Sequence, residues 1–190
     1  MSLWAWKAPL YSFIRAAPLF HQLLRAEKNR LARVLQLAPP PKLHLDIGSG
    51  TGDSLSLFHA SPRLVCLDAS LAMLRRLAHQ PKLLAHAEHL PFAACSFDLV
   101  SALGVLEYVK DEARFFNEAF RVLRPEGFFL FTSAPRVPAN YLRLLWGERL
   151  YLRNAQQVRA SVSTQCWRLI AHERTFLQEQ WLLQRLALQE

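Results

Sequence analysis

The sequence has few of the features that mark a secreted or membrane-spanning protein. Its three cysteines, Cys66, Cys95 and Cys166, are far apart and odd in number, and no His or Cys stands near them at metal-ligand spacing. Neither a disulfide framework nor a metal site is therefore predicted. No uncharged apolar run reaches the length of a membrane span, and the first residues lack the charged-then-apolar order of a signal peptide. These absences predict a soluble protein of the cytoplasm.

Acidic residues are in deficit, because 15 Asp and Glu face 23 Lys and Arg, which gives a formal net charge of +8. The excess lies in the two flanks. Residues 1–42 hold seven basic groups and one acid, residues 43–135 hold eight and ten, and residues 136–190 hold eight and four. Taken whole, the charge would favour nucleic acid or an anionic membrane surface as a partner. Its distribution makes nucleic acid the weaker expectation and leaves contact with a membrane surface open.

The chain has 190 residues, of which 52% are hydrophobic, and this is enough for one core and a single structural domain. Apolar residues recur at helical spacing from Leu10 to Leu37, with a break near Pro18, and three prolines then end this segment. Short apolar runs follow, separated by amphipathic stretches. They predict strands at 43–47, 64–67, 82–85, 97–102 and 127–133, and helices at 54–59, 71–79 and 112–123.

Strands that alternate with helices in this way predict an α/β, doubly wound, mostly parallel sheet covered on both faces. The turn at 124–127 is expected to stop a helix and lead into the next strand. In the tail, a helix near 155–161 precedes alternating residues at 167–176 and a last apolar piece at 181–188. We expect the last two segments to pair antiparallel at the sheet edge, as strands six and seven. The predicted division is an N-terminal helical cap or lid at 1–38 and the main domain at 39–190.

The most informative segment runs from Leu43 to Ser54, a strand leading into Gly48, Gly50 and Gly52, which are expected to open a helix. Glycines let the backbone turn tightly and approach a ligand, and the free N–H groups of a helix start attract an anionic group. The dinucleotide fingerprint would need glycine where Asp53 stands, and that carboxylate would repel a pyrophosphate. A Walker loop is also excluded, since no Gly-Lys-Ser/Thr follows.

The pattern Asp46-x-Gly-x-Gly-x-Gly resembles motif I of the class I S-adenosylmethionine-dependent methyltransferases. Asp68 ends the second strand 22 residues after Asp46, at the place of the family's ribose-binding acid. Residues 86–92 and 96–100 are similar to the third and fourth motifs, and 104–109 and 118–127 continue the pattern in order. Five spaced elements agree, which is far more specific than a lone glycine loop. The branch that the chain most resembles is type 11, which includes the ubiquinone and menaquinone biosynthesis methyltransferases.

The resemblance implies S-adenosylmethionine as cofactor and no metal. The residues that it places around the cofactor are Asp46, Gly48, Ser49, Gly50, Asp68, Ala69, His86, Ala87, Leu103 and Tyr11. Asp68 would accept hydrogen bonds from both ribose hydroxyls, and Tyr11 resembles the tyrosine of a lid motif. Family members usually carry Asp at the position of His86, so the adenine amino group would be read by His86, by Glu88 or by backbone groups alone.

Methyl transfer requires alignment and exclusion of water more than a base, because the methyl group is already activated. The candidates for catalytic groups are Tyr108, Glu107 and His21, whereas Phe97 and Asp98 are expected to serve packing or capping. In the family, segments corresponding to 1–38 and 134–154 close over the pocket, and here both are apolar and basic. They suit a small hydrophobic acceptor such as a quinone precursor or lipid, although they could also form a packed cap with solvated arginines. An RNA or protein methyltransferase, or a catalytically silent cofactor-binding domain, are the alternative functions.

Overall fold

The computed structural model describes residues 18–58, 61–78, 80–141 and 149–187. Helix α1 (Pro18–Leu35) precedes β1 (His44–Ile47), a 3-10 turn (Leu55–Leu57), β2 (Leu64–Asp68), α2 (Leu71–Leu74) and β3 (Lys82–Leu84). Next come β4 (Phe97–Ala102), a second 3-10 turn (Leu106–Tyr108), α3 (Glu112–Val122) and β5 (Leu123–Ser133). The chain continues through α4 (Pro138–Tyr141), α5 (Ala155–Val162), β6 (Trp167–Arg174) and β7 (Glu179–Arg185).

The strands form one seven-stranded sheet in the order β3-β2-β1-β4-β5-β7-β6. Strands β1 to β5 pair in parallel, whereas β7 runs antiparallel to both β5 and β6. This confirms the predicted doubly wound, mostly parallel sheet and the antiparallel pair formed by the tail. The strand order changes direction between β1 and β4, and open α/β sheets bind ligands at the carboxyl ends of the strands at such a point. The functional site is therefore expected after β1, β2 and β4.

Helices cover both faces of the sheet. On one face, Phe115 and Phe116 of α3 are fully buried in a cluster with Phe129 of β5. On the other face, Leu31 and Val34 of α1 are buried in a second cluster that also contains residues of β2, β4, β5 and β7. Helix α1 thus packs on the sheet through an apolar stripe, in which Leu31 and Val34 lie about one helical turn apart. The division of the chain at residue 38 stays a prediction.

Helix α3 has clear start signals and sits next to the second 3-10 turn. Its N-cap residue Asp111 accepts a hydrogen bond from the backbone N–H of Arg114 at 3.0 Å. Glu112 in the first turn and Arg121 in the last complement the helix dipole. Arg121 also donates to the carbonyls of Leu90 and Phe92, at 2.8 and 2.7 Å. These contacts fix the helix, and with it the segment that follows β4.

Two of the predicted helices are wrong in extent. Among the described residues of segment 54–59 only the 3-10 turn Leu55–Leu57 is helical, and among those of segment 71–79 only Leu71–Leu74. Gly52 has φ +90, and a Cβ added there would lie 2.6 Å from Cδ1 of the buried Leu77. The two short segments thus pack against each other at a left-handed residue, and this contact replaces helix propagation. The glycines therefore open a turn, and not the regular helix start that was expected.

The junction between α3 and β5 also differs from the prediction. The helix ends at Val122 and the strand begins immediately at Leu123, so the expected turn at 124–127 lies inside β5. Glu126 adopts φ +63 there, and the register with β4 shifts between Phe97 and Leu99. The turn residues therefore produce an irregularity within the strand and do not separate two elements.

Candidate functional site

The glycine loop after β1 is held in a conformation that side chains rarely allow. Gly48 has φ +68 and Gly50 has φ +55, both in the left-handed region that glycine tolerates best. A Cβ added at Gly48 would collide with the side chain of Val105, which lies after β4. At Gly50 the nearest atom to an added Cβ is the carbonyl oxygen of Gly48, at 3.9 Å. The loop thus packs tightly against the β4 end and leaves open space at Gly50.

Asp68, at the end of β2, closes the other side of this space. One carboxylate oxygen accepts a hydrogen bond from the N–H of Gly50 at 2.9 Å, and the other accepts from the N–H of Ser70 at 2.7 Å. Burial raises the pKa of the Asp68 carboxyl, although both hydrogen bonds oppose that effect. Because carboxylate oxygens have further lone pairs, the same group can also accept from two hydroxyls of a ligand.

Asp46 lies below the loop and is 1% exposed. Its Oδ1 accepts a hydrogen bond from the hydroxyl of Ser101 at 2.5 Å, whereas Oδ2 is buried with no hydrogen-bond partner among the described residues. Burial raises the pKa of the Asp46 carboxyl from 3.8 to about 6, against the opposite effect of the Ser101 hydrogen bond. A buried, half-satisfied carboxylate is costly, and a nearby positive charge is what would stabilise it.

His44 and Ser101 were missed by the sequence analysis. In β1, His44 is fully buried; its Nε2 lies 2.8 Å from the Ser101 hydroxyl and its Nδ1 lies 3.2 Å from the Ser61 hydroxyl. Burial lowers the pKa of the His44 imidazole from 6.5 to about 3, so it is neutral at ordinary pH. The sequence did contain a signal for His44, because His44 and Asp46 alternate with apolar residues in the short strand β1.

The other predicted cofactor residues line the same edge of the sheet. Ser49 is buried and donates to the carbonyl oxygen of Asp46 at 2.8 Å. Ala69 follows Asp68 and is exposed, as is His86, while Ala87 is buried in the core cluster after β3. Leu103 is half-buried at the end of β4. The structure therefore gathers these residues at one edge, with the His86 side chain exposed to solvent.

Two of the three catalytic candidates lie in the 3-10 turn after β4. Glu107 is buried, and an added Cβ at Gly104 would lie 3.9 Å from its Oε1. Tyr108 is half-buried. The third candidate, His21, belongs to α1, but only its backbone is among the described parts of the structure. Tyr11 lies outside the described residues. The catalytic roles of all three candidates stay predictions.

Arg153, one of the basic residues of segment 134–154, does not face solvent. Its guanidinium is buried, donates to the carbonyls of Leu106 and Val109 at 2.7 and 2.8 Å, and forms an ion pair with Glu112. Arg153 is thus a structural residue that fastens the second 3-10 turn to α3. Asp98 is structural as well, since it accepts from the N–H of Leu43 at 2.8 Å and pairs with an arginine, as the sequence analysis expected.

A cleft of about 450 Å³ lies beside this arginine. Its lining combines aromatic and aliphatic side chains with charged ones: Glu112, Arg136, Tyr141, Leu150, Tyr151, Leu152, Arg153 and Gln157. The backbone N–H of Tyr151 donates to the carbonyl of Glu107 at 2.7 Å, which joins the wall of the cleft to the second 3-10 turn. The cleft therefore borders the segment that follows β4.

The described residues contain no group of three or more His, Cys, Asp or Glu side chains that could hold a metal ion. Within the same ranges, no helix is both long and apolar enough to cross a membrane.

Comparison with known proteins agrees with the glycine loop and the fold. A family model described as a methyltransferase domain matches residues 45–131. Malonyl-[acyl-carrier protein] O-methyltransferase of Methylococcus capsulatus is 35% identical over 129 residues, which are 63% of this chain and 47% of that protein. The chain thus spans about half the length of that relative. Human thiol S-methyltransferase TMT1A is 28% identical over 167 residues, which are 79% of this chain and 68% of that protein.

A solved structure shows the same fold. The S-adenosylmethionine-dependent methyltransferase of Mesorhizobium loti superposes with a TM-score of 0.70 at 19% identity, covering 80% of this chain and 96% of that one. The sheet order, the glycine loop and the two strand-end aspartates define a class I S-adenosylmethionine-dependent methyltransferase domain. Residues 45–131 match the type 11 methyltransferase model, and the chain is also similar to a demethylmenaquinone methyltransferase of Corynebacterium urealyticum, at 37% identity over 106 residues.

S-adenosylmethionine is the cofactor of this domain, and the site residues fit it. The open space at Gly50 gives room for a ligand beside the loop. Asp68 can accept from ribose hydroxyls there, and the unpartnered oxygen of Asp46 supplies negative charge for a cationic cofactor.

Proposed function

We propose that this chain transfers the methyl group of S-adenosylmethionine by direct displacement to a small, largely apolar acceptor. The observation that carries the proposal is the pair of carboxylates, Asp46 and Asp68, on the two sides of a glycine loop that leaves space at Gly50. Two negative groups around one opening favour a cation, which argues against a phosphate-rich dinucleotide as the ligand.

The cofactor supplies a methyl group activated by a positively charged sulfur. The protein then has to align the acceptor with the S–CH₃ bond and exclude water. Leu103 and Gly104 follow the carboxyl end of β4 and are the proposed lining of the methionine end of the site. For an acceptor that must lose a proton, Glu107 and Tyr108 are the proposed acceptors of that proton, with His21 as the third candidate.

A small acceptor is supported by the cleft beside the second 3-10 turn. Its volume of about 450 Å³ lies within the usual range for small-molecule sites, roughly 300–1,000 Å³. Tyr141, Tyr151 and Leu150 supply apolar surface, and Arg136 has no ion-pair partner among the described residues. This composition suits an apolar molecule that carries one acidic group. The names of the two relatives, a malonyl-[acyl-carrier protein] O-methyltransferase and a thiol S-methyltransferase, also favour acceptors other than nucleic acid.

The test uses the purified full chain, methyl-labelled S-adenosylmethionine and separate acceptors: an alkyl thiol, a long-chain hydroquinone, a fatty acid and total RNA. We expect label in at least one apolar acceptor and a much lower rate in Asp68→Asn. Arg136→Gln should raise KM for an acidic acceptor and leave KM for a neutral one unchanged. Calorimetric binding of S-adenosylhomocysteine without transfer to any acceptor would favour the silent cofactor-binding domain. Label in RNA would favour the RNA methyltransferase.

We also propose a cytoplasmic location, since all three cysteines are free and Cys95 and Cys166 are exposed. Contact with a membrane surface through the apolar, basic flanks is the alternative. Flotation with anionic lipid vesicles tests it, and loss of flotation at high salt would identify the basic residues as the cause.

A further inference from the structure

A chain of buried polar side chains runs through β1 and β4 beneath the glycine loop. Ser61 lies 3.2 Å from Nδ1 of His44, whose Nε2 lies 2.8 Å from Ser101, whose hydroxyl in turn lies 2.5 Å from Oδ1 of Asp46. His44 and Ser101 are fully buried, and the same side of the sheet carries an apolar cluster under α1. Polar groups in such surroundings are costly unless each proton meets a lone pair.

Proton counting gives this chain a direction. An ionised Asp46 can only accept, so the single hydroxyl proton of Ser101 is given to Oδ1. The lone pair of Ser101 then receives Nε2–H of His44, and the bare Nδ1 receives the proton of Ser61. All three hydrogen bonds thus point toward the carboxylate. A neutral imidazole with its proton on Nε2 is the one tautomer that satisfies this arrangement.

Protonation of Asp46 reverses the chain. The carboxylic acid can donate to Ser101, which then gives its own proton to Nε2 of His44. The imidazole proton moves to Nδ1, where it faces the Ser61 hydroxyl oxygen. The same four side chains therefore have two complete hydrogen-bond arrangements, and the tautomer of His44 distinguishes them.

We propose that His44 and Ser101 are positioning residues that hold Asp46 as a fixed negative charge for the cationic cofactor, and that the tautomer of His44 reports that charge. The inference rests on the methyltransferase function proposed above. In the ligand-bound state the hydrogen bonds run toward Asp46, and Oδ2 has no hydrogen-bond partner among the described residues. Neither residue touches the cofactor in this arrangement, since both act through Asp46.

Few other titratable groups act on this carboxylate. Asp68 on β2 adds a negative charge that raises the pKa of Asp46, and the buried thiol of Cys66 lies on the same strand. Burial raises the pKa of the Cys66 thiol to about 11, so it stays neutral in the range where Asp46 titrates. His44 stays neutral in that range as well, because burial lowers its pKa to about 3. The direction of the hydrogen bonds from Ser61 to Asp46 is thus set by the charge of Asp46.

The first experiment is ¹⁵N NMR of the full chain labelled at histidine, titrated from pH 5 to 8. His44→Gln assigns the resonance. We expect a neutral His44 throughout, with its proton on Nε2 above about pH 6 and on Nδ1 below. Sinefungin, an analogue with an amine in place of the methylated sulfur, should lower the midpoint by half a pH unit or more. One unchanged tautomer of His44 from pH 5 to 8 in the ligand-free protein would overturn the proposal. Absence of sinefungin binding at every pH would instead contradict the cofactor assignment, and the ligand-free titration would still test the chain.

The second experiment compares sinefungin affinity in three variants by calorimetry. Ser101→Ala should move the pH midpoint of binding up by about one unit, which is about threefold weaker binding at pH 6.5 and little change at pH 8.5. Ser101→Thr keeps the hydroxyl and should restore the midpoint. Ser133→Ala is the matched control, because it removes a buried β5 hydroxyl bonded to Trp181 and not to Asp46. An equal shift in Ser133→Ala, or none in Ser101→Ala, would refute the positioning role.

Discussion

The substitution Asp46→Asn is expected to gain stability relative to the wild type as the pH rises from 4 to 8. Burial raises the pKa of this carboxyl to about 6 in the folded protein, whereas the unfolded chain titrates near 3.8. Between these values the folded state binds a proton that the unfolded state has lost. The folded state is therefore favoured at low pH, and this advantage disappears as the pH rises through 6.

The magnitude follows from 1.36 kcal/mol for each unit of pKa. A rise from 3.8 to about 6 makes ionisation of Asp46 cost the fold about 3 kcal/mol at pH 8. At pH 4 the same carboxyl costs about 0.5 kcal/mol, because the folded state is then protonated and the unfolded state has lost its proton only in part. Asparagine has no such dependence, and any constant loss from its changed hydrogen bonds cancels between two pH values. The stability of Asp46→Asn relative to wild type should rise by about 2.5 kcal/mol from pH 4 to pH 8.

Urea unfolding of both proteins, followed by tryptophan fluorescence at half-unit steps of pH, measures this difference. Asp98→Asn is the control of opposite sign, since hydrogen bonds from Leu43 and Arg124 outweigh burial and lower the pKa of Asp98. That variant should lose stability relative to wild type as the pH rises from 3. A relative stability of Asp46→Asn that is flat from pH 4 to pH 8 would refute the assignment of a strained, buried charge at this position.

Three further predictions concern the loop and the segment after β4. Gly48→Ala should lose at least 1 kcal/mol more stability in urea than Gly50→Ala, because both have positive φ but the added Cβ at Gly48 strikes Val105; equal losses would contradict the packing. Asp68→Asn should weaken S-adenosylhomocysteine binding tenfold or more in calorimetry while the protein still unfolds cooperatively, since one of its two acceptor oxygens is lost. Arg153→Met should lose about 3 kcal/mol of unfolding free energy, because it leaves the Glu112 carboxylate and two backbone carbonyls without their partner. An unchanged Tm would show that Arg153 does not stabilise the fold.

The parts of the molecule that could be predicted are those with a local pattern. Short apolar runs identified all five parallel strands, and the alternation at 167–176 identified β6, because the burial of a strand determines the pattern of adjacent residues. Asp46 and Asp68 could be found because each ends a strand next to glycine or a turn. The extent of the helix after Gly52 could not be predicted, since Gly52 packs against Leu77 and this contact joins segments that are far apart in the sequence.

Arg153 shows the same limit for side chains. In the sequence it is one arginine among several in a basic segment, and a solvated or ligand-facing role was the natural expectation. In the structure it is buried because two carbonyls after β4 and the carboxylate of Glu112 converge on it. Such convergence involves residues more than forty positions apart. Charge type and spacing along the chain carry no information about it.

His44 and Asp46 together show why polar residues in a buried strand point to function. An apolar pair at these positions would remove the cost of the ionised Asp46 and the acid sensitivity of a histidine that stays neutral when buried. The sheet has apolar clusters on both faces and does not need either residue for its core. Their presence in the strand is explained if the charge at the end of β1 is required by a ligand, as the resemblance to motif I implies. The stability that Asp46→Asn would add is then the cost of holding a negative charge ready beneath the glycine loop.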